Sequence, residues 1–275
     1  MITPGLHHAM TIEDYRARTG HLSSSVLRKA LPERYPAAGA SRARAFGALF
    51  HAVVLDPDRL DDRYVVLDPG KVGRRKDGSV ADHPTATTAW RTAAAEVATA
   101  GKTLVSPEDW ERAHAMRDAV TRSPSAAALL FDLPGATGVS AFYESPAGLR
   151  HKARYDRLLD GIVVDLKSTG TRPGADALAR AVVDHGYDLG AAHDLAVGDG
   201  LELALERVAL VFVSKEPPHH RVTVCDLAEE FLRRGRALRA LAVERLTDPA
   251  AETYEGADGP LTLALPRCDR IEQRR

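Results

Sequence analysis

The chain lacks most of the features that would place it quickly. It has 2 cysteines in 275 residues, Cys225 and Cys268, far apart in sequence. No disulfide framework, zinc ribbon or four-cysteine iron–sulfur site can be built from them. It has no excess of one charge: 37 basic residues against 38 acidic ones leave a net charge of −1. Such a balance gives no general attraction to polyanions, so any nucleic-acid surface has to be a local patch. No apolar run approaches the length that spans a bilayer. The opening Met1-Ile-Thr-Pro-Gly-Leu-His-His8 has no basic-then-apolar pattern of a secretory signal. The expectation is a soluble, cytoplasmic protein of a bacterial or phage-infected cell, without a membrane partner. There is also no internal repeat and no low-complexity tract. What is present is a hydrophobic content of 44%, enough for a real core in one large domain or two small ones.

The richest segment is Leu149-Arg-His-Lys-Ala-Arg-Tyr-Asp-Arg-Leu-Leu-Asp-Gly-Ile-Val-Val-Asp-Leu-Lys167. Asp160-Gly161 signals a two-residue type I′ hairpin turn, because Gly and to a lesser extent Asp tolerate positive φ. Counting back from it pairs Leu159 with Ile162, Leu158 with Val163, Asp156 with Asp165, Tyr155 with Leu166 and Arg154 with Lys167. Side chains alternate along a strand. Ala153, Tyr155, Leu159, Ile162, Val164 and Leu166 then form a core face. Arg154, Asp156, Leu158, Val163, Asp165 and Lys167 form the other. Like charges directly opposed across a hairpin repel, so Asp156 facing Asp165 calls for a cation, and hard divalent ions take carboxylate oxygens.

The remaining pattern places this hairpin. Val26–Leu31 reads as a helix capped from Leu22–Ser25 and limited by Pro32. Residues 41–55 read as a strongly apolar helix carrying His51. Asp62–Leu67 reads as a short strand, and 68–86, with Lys71, Arg74, Arg75 and Lys76, as a loop. Helices are expected over Thr87–Ala100, Pro107–Thr121 and Ser125–Phe131. Val139–Glu144, Leu149–Leu158 and Ile162–Lys167 then read as an antiparallel meander. A loop with Gly170 and Pro173 leads to helices over Ala175–His185 and Tyr187–Ala196. Arg207–Ser214 and His220–Val224 read as a strand pair. Asp226 is expected to cap an arginine-rich helix reaching Leu246, before a C-terminal strand or arm. The fold class is α/β (α+β), a mixed sheet flanked by helices. The chain is read as one domain: a mainly helical part over 1–135, a core over 136–250 and an arm over 251–275.

Asp165 and Lys167 share one side of a strand, about 6.6 Å apart along it, and Asp156 comes across from its neighbour. Two carboxylates and a backbone carbonyl, that of Leu166, can hold Mg²⁺ or Mn²⁺, which polarises a scissile phosphate and acidifies a bound water. The Lys167 ammonium then sits beside that water. Arg154, on the same face, is a candidate DNA contact. Asp156, Asp165 and Lys167 form the Asp…Asp-x-Lys signature of PD-(D/E)XK nucleases, and Asp165-Leu-Lys167 is the one Asp/Glu-x-Lys in the chain. The competing reading is a solvated hairpin face with Arg154–Asp156 and Asp165–Lys167 as surface ion pairs.

Further segments carry a resemblance. Leu22-Ser-Ser-Ser-Val-Leu-Arg-Lys-Ala-Leu31, Phe46-Gly-Ala-Leu-Phe-His-Ala-Val-Val-Leu-Asp-Pro57, Gly101–Trp110, Tyr155–Thr169 and Val211–Pro218 together resemble the RecE-like (exodeoxyribonuclease VIII-type) nucleases of phage and prophage. The likeness covers nearly the whole chain. It implies a PD-(D/E)XK fold and a Mg²⁺- or Mn²⁺-dependent exonuclease acting 5′→3′ on double-stranded DNA ends. It also implies a single-strand annealing partner in recombination and a ring-like homo-oligomer. By the same resemblance His51 joins Asp156 and Asp165 at the metal; read alone, it is a histidine satisfied inside an apolar helix. The family's later helix carries a Gln and a Tyr one turn on, where this chain has Gly190 and Asp194. The support around the metal is thus altered, with His193 or Asp194 as candidate substitutes. The acidic residue common early on the first strand of the meander is also missing from Thr137-Gly-Val-Ser140; Glu144 comes only at that strand's end. Two rival functions stay open: a catalytically weakened DNA-binding or assembly protein on the same fold, and an endonuclease using the same site. The arginines Arg233, Arg234, Arg236 and Arg239, and the basic 71–76 loop, are either phosphate contacts or solvated faces.

Overall fold

The structure is a computed structural model and describes residues 2–36, 42–170 and 174–248. The arm expected over 251–275, Cys268 and Pro173 lie outside the described residues. The helices in chain order are α1 (Ile12–Ala17), α2 (Ser24–Lys29), α3 (Arg42–Leu55), α4 (Leu60–Arg63), α5 (Pro69–Val72), α6 (Thr88–Thr99), α7 (Pro107–Arg122), α8 (Pro124–Ala127), α9 (Ala175–Asp184), α10 (Tyr187–Gly200) and α11 (Glu229–Thr247). The strands are β1 (Gly5–His7), β2 (Tyr64–Val66), β3 (Thr103–Val105), β4 (Gly135–Glu144), β5 (Arg150–Leu159), β6 (Ile162–Thr169), β7 (Arg207–Ser214) and β8 (Val222–Asp226). None of the described helices is long and apolar enough to cross a membrane.

Six strands form one mixed sheet in the order β1-β4-β5-β6-β7-β8. All neighbours are antiparallel except β6 and β7, which run parallel. A parallel pair needs a long crossover, and α9 with α10 supplies it. β2 and β3 pair separately. Strands covered on both faces read as continuous apolar runs. Val208 to Val213 is such a run, buried throughout. One core cluster packs α3 and α7 against Leu159, Val164, Leu166 and Val211. A second packs α9, α10 and α11 against Val139, Ala153, Tyr155, Val163 and Phe212.

The turn count holds next to Asp160-Gly161: Leu159 pairs with Ile162 and Leu158 with Val163. The turn is not type I′, since Gly161 has φ 69° but Asp160 is not at positive φ. The count then fails. The β5–β6 ladder ends at Arg157↔Val164, so Asp156↔Asp165, Tyr155↔Leu166 and Arg154↔Lys167 are not ladder pairs. The two-face assignment fails with it. Ala153 and Tyr155 belong to the second cluster, while Leu159, Val164 and Leu166 belong to the first. Val163, expected on the polar face, is 1% exposed. Two causes act together: helices cover both faces of the sheet, and β5 changes its facing around Asp156.

Smaller corrections have local causes. Leu60–Arg63 is a helical turn, and only Tyr64–Val66 is strand. β1 was not expected at all; it pairs with β4 through Gly5↔Phe142. Asp226 ends β8 and binds Arg207 at 2.6 Å instead of capping α11, whose N-cap is Ala228. In α2 the cap is Ser23, whose side chain accepts from the Val26 N–H.

Candidate metal centre

Asp156 sits where the sheet is interrupted on both sides. Its β4 neighbour would be Gly138, but the β4–β5 ladder skips that pair, and Gly138 has φ 64°. A lone glycine inside a strand often marks such a distortion, and this signal was present in Thr137-Gly-Val-Ser140. On the β6 side an unbroken antiparallel ladder would give the Leu166 N–H to the Tyr155 carbonyl. The Asp156 carboxylate takes it instead, at 2.9 Å. The side chain thus replaces a backbone acceptor, and the strands part where the acidic residues lie.

His51 arrives from α3. One side of this helix, with Phe46, Leu49, Phe50 and Val53, is buried in the core. Gly47, His51 and Leu55 are spaced four residues apart on another face, and all three line a cavity of about 560 Å³. His51 Nδ1 lies 2.8 Å from the Gly47 carbonyl. A carbonyl only accepts, so Nδ1 carries a proton. Nε2 is turned to Asp156 Oδ2 at 3.2 Å. Fixing one ring nitrogen by a backbone carbonyl is how proteins orient a ligating histidine. One ligand atom each from His51, Asp156 and Asp165 lie within 4.8 Å of one another. Oxygen ligands of a divalent ion stand about 2.0–2.6 Å from it, so one ion can reach all three. The donor set, two carboxylate oxygens and an imidazole nitrogen, suits a divalent cation.

The charges are coupled. Burial pushes the Asp156 carboxyl up, but His51, Lys167 and the Leu166 N–H outweigh it and hold it well below the ordinary range. Asp165 is raised by burial and by Asp156, against the pull of Lys167. Burial lowers the His51 and Lys167 values, yet Asp156 raises the first, and Asp165 with Asp156 raises the second. Two adjacent carboxylates thus divide unequally, as like charges near each other must. Lys167 Nζ binds Asp165 at 2.5 Å and lies 4.8 Å from the centre of the Tyr187 ring. Tyr187 was not singled out in the sequence, because nothing local tells which residue of α10 will reach β6. Asp194 sits seven residues along the same helix. Burial, with the Asp165 and Asp156 carboxylates, pushes its carboxyl well above the usual range.

The structure brings His51, Asp156, Asp165 and Lys167 together. Leu166 presents its N–H there, and N–H and C=O of one strand residue share an edge, so its carbonyl lies on the β5 side too. Arg154 lines the cavity with His51 and Asp156, donating to the Met10 carbonyl (3.1 Å) and Ser140 hydroxyl (2.6 Å). His193 is not at the site. It is fully buried between the Lys152 carbonyl (3.0 Å) and Arg239 (3.4 Å). Glu144 is exposed, at the far end of β4 opposite Arg150. Of the late arginines, Arg234 binds Asp188 and Arg239 contacts His193, both on α10, so these two tie α11 to α10, while Arg236 makes an exposed pair with Glu229 on its own helix.

No family model matches the chain, and no curated protein matches it by sequence. Among solved structures it is similar to one from Eubacterium rectale described as a "putative exonuclease", with a TM-score of 0.52 and 13% identity over 92% of this chain and 96% of that one. Two further structures align with lower scores. One is called SSO0001 (TM-score 0.28, 14% identity, 83% of this chain, 96% of that one). The other is the protein VC1899 from Vibrio cholerae (TM-score 0.22, 14% identity, 86% of this chain, 60% of that one). At 13% identity the first likeness is one of fold: helices flanking a mixed α/β sheet.

Proposed function

We propose that the chain is a metal-dependent deoxyribonuclease of the PD-(D/E)XK type, hydrolysing phosphodiester bonds of linear double-stranded DNA from its ends. The observation that carries this is the convergence of His51, Asp156 and Asp165 within reach of one ion, beside the Lys167 ammonium. The likeness in fold to the structure described as a "putative exonuclease" is in keeping with it. His51, Asp156 and Asp165, with the Leu166 carbonyl, would hold Mg²⁺ or Mn²⁺. A divalent ion held there supplies Lewis-acid polarisation of the phosphate and a more acidic water. Lys167, its value raised by two carboxylates, stays a cation. Its role is to stabilise negative charge on the attacked phosphate and not to take a proton. The Gly47 carbonyl fixes the imidazole, and Tyr187 limits where the ammonium can go. The 5′→3′ direction, the recombination setting, the annealing partner and the homo-oligomer belong to this proposal through the RecE-like resemblance.

The test is degradation of linear duplex with Mg²⁺ or Mn²⁺. Wild type shortens it, and Asp165→Ala leaves it intact. Loss of supercoiled circles, which have no ends, would instead make the protein an endonuclease. One observation favours a second reading, a DNA-binding protein of weakened activity. A Cβ at Gly190 would meet only Ser24, at 3.9 Å, so no close contact forces glycine at the place where the resemblance leads one to expect a Gln, and that side chain is missing. Binding of linear DNA without cleavage would establish that reading.

A further inference from the structure

We infer that Tyr187 is a positioning residue: its ring face keeps the Lys167 ammonium at the site when Asp165 turns from that ammonium to a divalent ion. This rests on the metal centre of the nuclease reading and adds how the lysine is held beside it. The Asp165 carboxylate has two claims on it. It binds Lys167 Nζ at 2.5 Å, and it offers one of the three ligand atoms that lie within 4.8 Å of one another. A divalent ion outweighs any single charge around it, so a carboxylate shared with one has less attraction left for an ammonium. Asp156, the other carboxylate that acts on Lys167, is claimed by the same ion. With both carboxylates engaged, Lys167 needs a partner that is not itself a metal ligand.

The fold sets Tyr187 in that place. Lys167 and Phe212 are register partners on the parallel strands β6 and β7. Both face α10: Phe212 belongs to the cluster that packs this helix, and Lys167 Nζ lies 4.8 Å from the centre of the Tyr187 ring. That is inside the roughly 6 Å over which a ring face attracts a cation. Among the described residues no other ring lies over this ammonium. The Tyr187 ring is itself wedged, 6.1 Å from the Phe212 ring and 5.4 Å from that of His185. The turn into α10 fixes its direction. Gly186 has φ 64°, and a Cβ there would lie 2.9 Å from the Tyr35 ring, so glycine alone suits that point. Burial pushes the Tyr187 hydroxyl up, so the ring stays neutral and acts through its face. One turn on, Gly190 adds no side chain, and a Cβ there would meet Ser24 and nothing nearer the lysine.

The test is calorimetric titration of Mn²⁺ into the purified protein with no DNA present. Without the ring, Lys167 competes harder for Asp165. Tyr187→Leu should therefore bind Mn²⁺ roughly fivefold more weakly than wild type, the size of a partly desolvated contact between a cation and a ring. Tyr187→Phe keeps the face and drops the hydroxyl, and should stay within about twofold of wild type. In Lys167→Met the competitor is gone, so adding Tyr187→Leu to it should change nothing. Denaturant midpoints show which variants are folded, and Tyr187→Met replaces the Leu variant if that one is not. Wild-type affinity in the folded Leu or Met variant overturns the inference. So does a Phe variant as weak as the Leu one, or a Leu effect that persists beside Lys167→Met, which is what a merely structural role would give. Absence of a saturable Mn²⁺ site in wild type overturns it together with the metal centre. Cleavage of linear duplex, run alongside, separates the two claims. If the Mn²⁺ pattern holds while wild type leaves duplex intact, the nuclease reading fails and the ring assignment stands. If wild type cleaves, Asp165→Ala does not, and Tyr187→Leu binds Mn²⁺ like wild type, only the ring assignment falls.

Discussion

Two aspartates on this fold are both deep, both paired with a base, and built for opposite ends. Asp188 on α10 is 0% exposed. Its carboxylate takes the Leu189 N–H at 2.9 Å and the Arg234 guanidinium, and the α11 backbone presses so close that a Cβ at Gly235 would lie 2.1 Å from the Asp188 carbonyl oxygen. Nothing can enter. Asp156 also has a base and an N–H, but its side chain is 20% exposed, both strand ladders are broken beside it, and it opens on a cavity. Ion pairing alone therefore does not distinguish a structural acid from a chemical one. A closed pair pins two helices. An open one, next to a second carboxylate, can exchange its partner for a metal ion.

The strongest way to break this contrast is to remove each acid. Asp156→Ala or Asp165→Ala should lower hydrolysis of linear DNA by about 10³-fold or more, since metal-borne stabilisation of several kcal/mol is lost. Asp156→Ala should also lower the melting temperature, because His51 and the Leu166 N–H lose their acceptor; Asp165→Ala should lower it less, because a like-charge contact is relieved. Asp188→Ala should cost stability alone. Losing the acceptor of Arg234 and of the Leu189 N–H costs about 1–3 kcal/mol, read from the denaturant midpoint, while activity per folded molecule persists. Exchanged outcomes would erase the distinction.

A second effect is carried by pH. Burial holds His151 down at about 4 and His193 at about 3, against 6.5 when unfolded. Between those values the unfolded chain binds more protons, so stability falls as pH drops below 6.5 and stays high above it. His193→Gln should flatten that slope in urea melts at pH 5; an unchanged slope contradicts the assignment. The smallest effect compares two helix glycines. Gly190→Ala has open space and should stabilise by about 0.5–1 kcal/mol. Gly235→Ala meets the Asp188 backbone and should destabilise the α10–α11 contact. Equal thermal shifts for both would show that this packing does not bind the helices.

How far the sequence reached follows from the range of the forces involved. The Asp160-Gly161 turn is local, so the hairpin and its first pairs could be counted. The apolar run of α3 made its helix legible, and the family pattern within it pointed to His51. The parting of β5 from β6 was not legible, because it depends on a carboxylate competing with a backbone carbonyl for one N–H. Tyr187 beside Lys167 and the cavity wall at residues 8–16 are contacts between distant segments, without any local periodicity. The late arginines look alike in sequence; Asp188 and His193, brought near by packing, assign Arg234 and Arg239 to the fold.

The claim at the centre is that His51, Asp156 and Asp165 bind one divalent cation. Calorimetric titration of Mn²⁺ into the purified protein tests it most directly. The account predicts one saturable site in wild type and none in folded Asp156→Ala or Asp165→Ala. Equal stoichiometry and affinity in all three would contradict it.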